Sequence, residues 1–184
     1  MTSESDRQLL LRLARETITA HVTGARAPAP PIDGVLAQPG AAFVTLHAHG
    51  DLRGCIGHLD PAEPLGRVIP QCAIGACSRD PRFASVSVDE LPAIDIELSL
   101  LGPMEPITGP ADIEIGRHGL VVESGWQRGL LLPQVAVEWN WDAETFLTQT
   151  CRKAGASADA WKRGAKLWRF EAEVFGEREG GQGR

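Results

Sequence analysis

The sequence predicts an α+β fold: a mainly antiparallel sheet with flanking helices. Three observations carry this. Residues 93–101, AIDIELSLL, alternate apolar and polar side chains, the mark of a half-exposed antiparallel strand. Residues 5–22, SDRQLLLRLARETITAHV, place their apolar residues at helical spacing instead. The other short apolar runs are joined mostly by turns, with helices falling between sets of strands.

Each element follows from local pattern. In the first helix Leu10, Leu13, Thr17 and Ile18 share a face, and Ser5 with Gln8 makes a capping-box pattern. Residues 23–40 are punctuated by Pro and Gly and read as a surface connection. The apolar run 42–46, a turn near His49-Gly50-Asp51 and a second run 52–56 form a hairpin signal. Pro64 opens a helix through residue 78, with Pro70 and Gly75 inside it predicting a kink or a delayed start. On the strand 93–101, Ile94, Ile96, Leu98 and Leu100 point inward and Asp95, Glu97 and Ser99 outward. Segments 112–115, 119–124 and 128–133 read as a meander, with turns at Arg117-His118 and Gly125-Trp126. Asp142 caps a helix over 143–154 that Gly155 ends, and 167–175 alternates as the last strand. Order is expected over about residues 5–176, with 177–184 a disordered tail.

At 184 residues the chain fits one domain, or two subdomains sharing a core. A net charge of −6 argues against nonspecific nucleic-acid binding. No apolar run is long enough to span a membrane, and the polar, acidic start lacks the features of a signal peptide. The expected address is the cytoplasm, where Cys55, Cys72, Cys77 and Cys151 stay reduced.

The chemistry-bearing stretch is LRGCIGH, residues 52–58. Arg53 and Cys55 fall on one strand face, roughly 7 Å apart, and a nearby cation would favour the thiolate. Gly54 and Gly57 leave room for a ligand or another backbone to approach. His58 is a candidate base. A packed cysteine in a strand that needs glycine for close contact accounts for the same residues. A zinc site would need Cys55 and His58 with His47 and His49, but His49 falls in the turn. In SRDPRF, residues 78–83, Asp80 and Arg82 flank Pro81. They make either an ion pair beside a Phe83 anchor or an arginine fork for a carboxylate or phosphate. Cys72, Cys77 and Cys151 read as core, and Arg152 and Lys153 suit a helix C-terminus. Of five tryptophans, Trp126 sits in a turn as a candidate contact residue and the other four read as core. Common phosphate-loop, nucleotide and hydrolase motifs are absent.

The order of these motifs resembles the AMMECR domain family: LRGCIG, DPRF, LPQV and C-x-KAG in series, over about residues 6–176. The resemblance implies a larger and a smaller subdomain with mainly antiparallel sheet. It also implies a component A of an AmmeMemoRadiSam-type set, acting with a Memo-like protein and a radical SAM enzyme. Pro70 and Cys72 depart from the family pattern, which often has an unbroken helix and an asparagine there.

The expectation is therefore a cleft with Cys55, Arg53 and Asp80 as catalytic candidates. Gly54, Gly57, Arg82 and Lys153 are the binding candidates, for an unknown small molecule or peptide. No metal, cofactor, nucleic acid or membrane is expected. The alternative is a non-catalytic adaptor that docks through the LRGCIG loop.

Overall fold

In the computed structural model, which describes residues 2–178, the chain forms two compact units. The larger holds residues up to 100 together with 173–178; the smaller holds 101–172. The fold is α+β, as the patterns predict.

The larger unit begins with α1 (Glu4–Thr23), which buries Leu10, Leu13, Ala14, Thr17 and Ile18. Its cap lies two residues earlier than expected: Ser3 and Asp6, rather than Ser5 and Gln8, form the capping box. Gly24 ends the helix in the left-handed region at φ 72°. The connection that follows is exposed apart from a 3-10 turn at Gly34–Ala37, where Val35 and Leu36 enter the core. The hairpin is β1 (Ala41–Ala48) and β2 (Asp51–His58), antiparallel, with His49 and Gly50 at positive φ in the turn. Next comes α2 (Leu65–Ser78), unbroken through Pro70. The expected delayed start does not occur. Pro64 serves as N-cap, and Pro70 sits in the second turn, where its missing N–H removes one helical bond. Cys72 and Cys77 are buried core residues.

β3 (Ile94–Leu101) neighbours β1, so β2 lies at the end of the order β2-β1-β3. Ile94, Ile96 and Leu98 face the core as predicted. Ser99 does not point outward: it is fully buried, and its Oγ has no hydrogen-bond partner among the described residues. Glu177 and Arg178, assigned to the tail from sequence, are anchored. Glu177 pairs with Arg15 and accepts from Ile96 N, and Arg178 pairs with Asp95 at 2.8 Å. The rest of that tail, 179–184, lies outside the described residues.

In the smaller unit β5 (His118–Ser124) pairs with β6 (Gln127–Leu131) and with β7 (Lys166–Gly176), and β4 (Glu105–Ile107) adds to β7. Segment 112–115 is not a strand. It is the end of a 3-10 turn at Pro110–Asp112 and a tight turn around Gly116, at φ 87°. Sequence reading also passed over β4 and the short helix α3 (Pro133–Glu138). Asp142 caps α4 (Ala143–Lys153) by accepting from Thr145 N at 2.8 Å, as expected. Phe146, Leu147 and Cys151 of α4 pack with Leu120, Val122 and Leu167 in a separate core. Among the described residues no helix is long and apolar enough to cross a membrane.

Candidate functional site

The LRGCIG strand lies hard against α2. Gly54 faces the helix so closely that a Cβ placed on it would be 2.1 Å from Ala76 O. Gly75 of α2 makes the reciprocal accommodation, leaving room for the Ile56 side chain. Strand alternation then turns Cys55 and Gly57 to the opposite side of the sheet. There the Phe43 ring of β1 covers Gly57, and a Cβ on Gly57 would meet it at 2.3 Å. Both glycines are thus occupied in packing; neither opens a space for a ligand.

The alternation breaks at Arg53. Leu46 pairs with Gly54 and His47 with Leu52, so Arg53 is the extra residue of a β-bulge. Bulges re-aim side chains, and this one sends the guanidinium to Glu90. The fork is bidentate, Nε to Oε1 at 2.8 Å and Nη2 to Oε2 at 3.2 Å, while Nη1 donates to Ala84 O at 2.9 Å. Glu90 also accepts from Ser87 N and Oγ. With Arg53 as the leading cause, its carboxyl is lowered to about 2.

Asp80 is just as fully used. One oxygen accepts from the Cys55 backbone N–H at 2.9 Å, at the part-buried edge of β2. The carboxylate also takes Arg82 N at 3.1 Å, Arg82 Nε at 3.0 Å and Arg82 Nη2 at 2.7 Å. The bond to Arg82 N, two residues on, closes an Asx turn around Pro81. The Arg82 guanidinium beside it holds the buried carboxyl far below the usual carboxylate range. Arg82 itself is half exposed. The guanidinium carbons of Arg53 and Arg82 lie 5.9 and 5.4 Å from the Phe83 ring centroid.

Cys55 is half buried. Its Sγ accepts a hydrogen bond from Thr45 Oγ1 at 3.3 Å. Burial pushes the thiol above its ordinary value, and the Thr45 bond and the Arg82 charge only partly oppose this. Asp80 and Glu97 act in the same direction as burial. Arg53 gives no such help, because its charge is committed to Glu90. His58 makes no contact with the thiol, and its Nε2 is buried without a partner among the described residues. The surroundings therefore favour the neutral thiol over the thiolate.

Alkylation tests this directly. At pH 7.5 iodoacetamide is expected to label Cys55 at least about tenfold more slowly in the folded protein than in the unfolded chain. Its rate should rise only above the ordinary thiol range. Peptide mass spectrometry reads both, with buried Cys72 and Cys151 as internal references. Labelling of Cys55 as fast as in the unfolded chain would mean an activated thiol.

The structure thus brings together Arg53, Gly54, Cys55, Gly57, Asp80 and Arg82, all in the larger unit. Lys153 lies exposed in the last turn of α4, in the smaller unit. Sequence reasoning missed Glu90 and Thr45. A signal for Glu90 was present: Ser87-Val88-Asp89-Glu90 has capping-box spacing, and the Glu90 carboxylate does accept from Ser87 N. Among the described residues no group of three or more His, Cys, Asp or Glu side chains is placed to hold a metal ion.

Comparison with known proteins agrees with this architecture. A protein of Methanothermobacter thermautotrophicus is 45% identical over 184 residues, covering 95% of this chain and 96% of its own. One of Thermococcus gammatolerans is 45% identical over 183 residues, covering 92% and 89%. A crystal structure of an uncharacterized protein from Pyrococcus horikoshii superposes with a TM-score of 0.89 at 40% identity, covering 96% of this chain and 93% of that one. The AMMECR1 family profile matches residues 11–175, which takes in the bulged strand, the Asp80 turn and the Gly129 strand of the smaller unit. On that match and those relatives, the chain belongs to the AMMECR1 family.

Proposed function

We propose that the chain acts as a non-catalytic binding module, with β2 and the loop 80–90 as its docking surface. One observation carries this reading: every reactive group of the signature is already consumed inside the protein. Arg53 is neutralised by Glu90 and Asp80 by Arg82, and burial disfavours the Cys55 thiolate. A nucleophile needs a thiolate or an adjacent base, and neither is supplied. What remains outward is recognition chemistry: the half-exposed Arg82 beside Phe83, with Leu52 and Val88 exposed at 40% and 54%. Arginine and aromatic side chains are the usual anchors of protein interfaces. The partners suggested by the family resemblance are a Memo-like protein and a radical SAM enzyme.

Surface variants that spare the ion pairs provide the test. Leu52→Asp and Val88→Asp are each expected to weaken capture of a purified Memo-like or radical SAM partner about tenfold in biolayer interferometry. Cys55→Ser should leave capture unchanged. Wild-type capture by both aspartate variants would remove this surface from consideration. Loss of a modification activity in Cys55→Ser, with capture intact, would favour the catalytic reading.

A further inference from the structure

The smaller unit carries a second feature that the signature does not explain. Trp139, expected in the core, is 67% exposed. It follows α3, and Asn140 after it adopts a left-handed φ of 50°, which turns the chain back so that Trp141 N donates to Ala136 O at 2.9 Å. The turn stacks three rings in series. Trp139 and Trp141 have centroids 6.1 Å apart and planes within 20°, and Trp141 and Phe146 follow at 6.5 Å and 38°. Phe146 is fully buried, so the ladder runs from the core to the surface and holds the outer indole against a backing. Trp126, more exposed still, has no such backing among the described residues.

Val137, two residues before Trp139, is also exposed and packs at Gly116, next to exposed Ile115. Glu138 precedes Trp139 in the chain, and Asp142 and Glu144 follow within five residues; all three are exposed. Glu144 meets Lys162 at 3.9 Å, between two mostly exposed side chains. A backed indole with exposed carboxylates next to it in the chain has a definite chemical preference. Its face attracts cations, and a planar guanidinium can stack on it while pairing with a carboxylate beside it. The same unit shows this attraction internally, with Lys162 Nζ 4.6 Å from the Trp161 ring centroid.

We propose that the Trp139 surface docks a basic segment of a partner protein, an arginine side chain stacking on the indole and pairing with Glu138 or Glu144. Charge complementarity selects this occupant. A second copy of the chain, at net charge −6, is a poorer match on average for exposed carboxylates than a basic segment.

The probes are three fluorescently labelled ten-residue peptides alternating glycine with arginine, lysine or glutamate, titrated by anisotropy at low salt. The arginine peptide is expected to bind most tightly, the lysine peptide several-fold more weakly, and the glutamate peptide not at all. Trp139→Ala should weaken the arginine peptide about fivefold. Glu138→Lys should weaken it and flatten its salt dependence, while Trp126→Ala changes neither. Circular dichroism of each variant controls for folding. Equal binding of all three peptides, or unchanged arginine-peptide binding in Trp139→Ala, overturns the proposal. So does concentration-dependent self-association that Trp139→Ala abolishes, since it would make a second copy the occupant. The larger unit's docking surface is untouched by these variants, so its test stands or falls separately.

Discussion

Gly54→Ala is expected to lose about 3 kcal/mol of unfolding free energy in urea titration, toward the upper end of what overpacking costs. The reason lies in what the new methyl group meets. It would be 2.1 Å from Ala76 O and 3.2 Å from Ala76 C, both backbone atoms of α2. A helix carbonyl cannot rotate away as a side chain can, so either the strand or the helix must move. The backbone of Gly54 is not in the left-handed region, so strain in φ adds nothing. At such a position, the entropy term alone would make alanine stabilising by about 0.4–1 kcal/mol. The clash outweighs it and sets the sign. Gly57→Ala is the comparison: its added methyl meets the Phe43 ring at 2.3 Å, a side chain able to turn, and should cost less. If Gly54→Ala unfolds at the wild-type urea midpoint, the close contact of β2 with α2 is wrong. The signature glycines would then serve something other than packing.

That contrast also explains what the sequence revealed and what it did not. The faces of α1 and β3 and the turn at His49-Gly50 were legible because each is written in neighbouring residues at a fixed period. The shift of the helix cap from Ser5 to Ser3 is a local ambiguity, since both serines have an acidic or amide residue three positions on. The site was legible in membership but not in wiring. Arg53 and Cys55 on one regular strand suggested a cation beside a thiol, and a single inserted residue undid that geometry. The partner that claims Arg53 lies 37 positions away, and the one that claims the Cys55 N–H lies 25 away. No local period encodes such pairs. Ser99 and Trp139 failed for a related reason. Alternation assigns a face to a residue but not what covers that face, and composition alone puts tryptophan inside.

Asp80→Ala is expected to cost about 2–3 kcal/mol, through one lost acceptor and not mainly through the ion pair. Arg82 is half exposed and can turn to water, so its loss of a partner is cheap. The Cys55 N–H cannot do the same as readily, because it is part-buried at the strand edge. Asp80→Asn should recover part of the loss, since its amide oxygen can still accept that bond. The two variants also separate charge from geometry through pH. The folded carboxyl sits far below its unfolded value of about 3.9, so its extra stability is fully present above that value. It is lost as pH falls toward the folded value. The gap between wild type and Asp80→Asn should therefore be flat from about pH 5 to 8 and close progressively below about pH 4. Glu90 titrates in the same acid window, with its folded value lowered to about 2. It is present in both proteins, however, and cancels in the difference. A gap that stays constant down to pH 3 would show that the Asp80 hydrogen-bond geometry alone, rather than its charge, holds β2 to the loop. Partner capture then gives a further discrimination at neutral pH. If the loop is only a clamp, the folded fraction of Asp80→Asn should capture like wild type. If the Arg82 head held by Asp80 is itself an anchor, capture should fall even where the variant is fully folded.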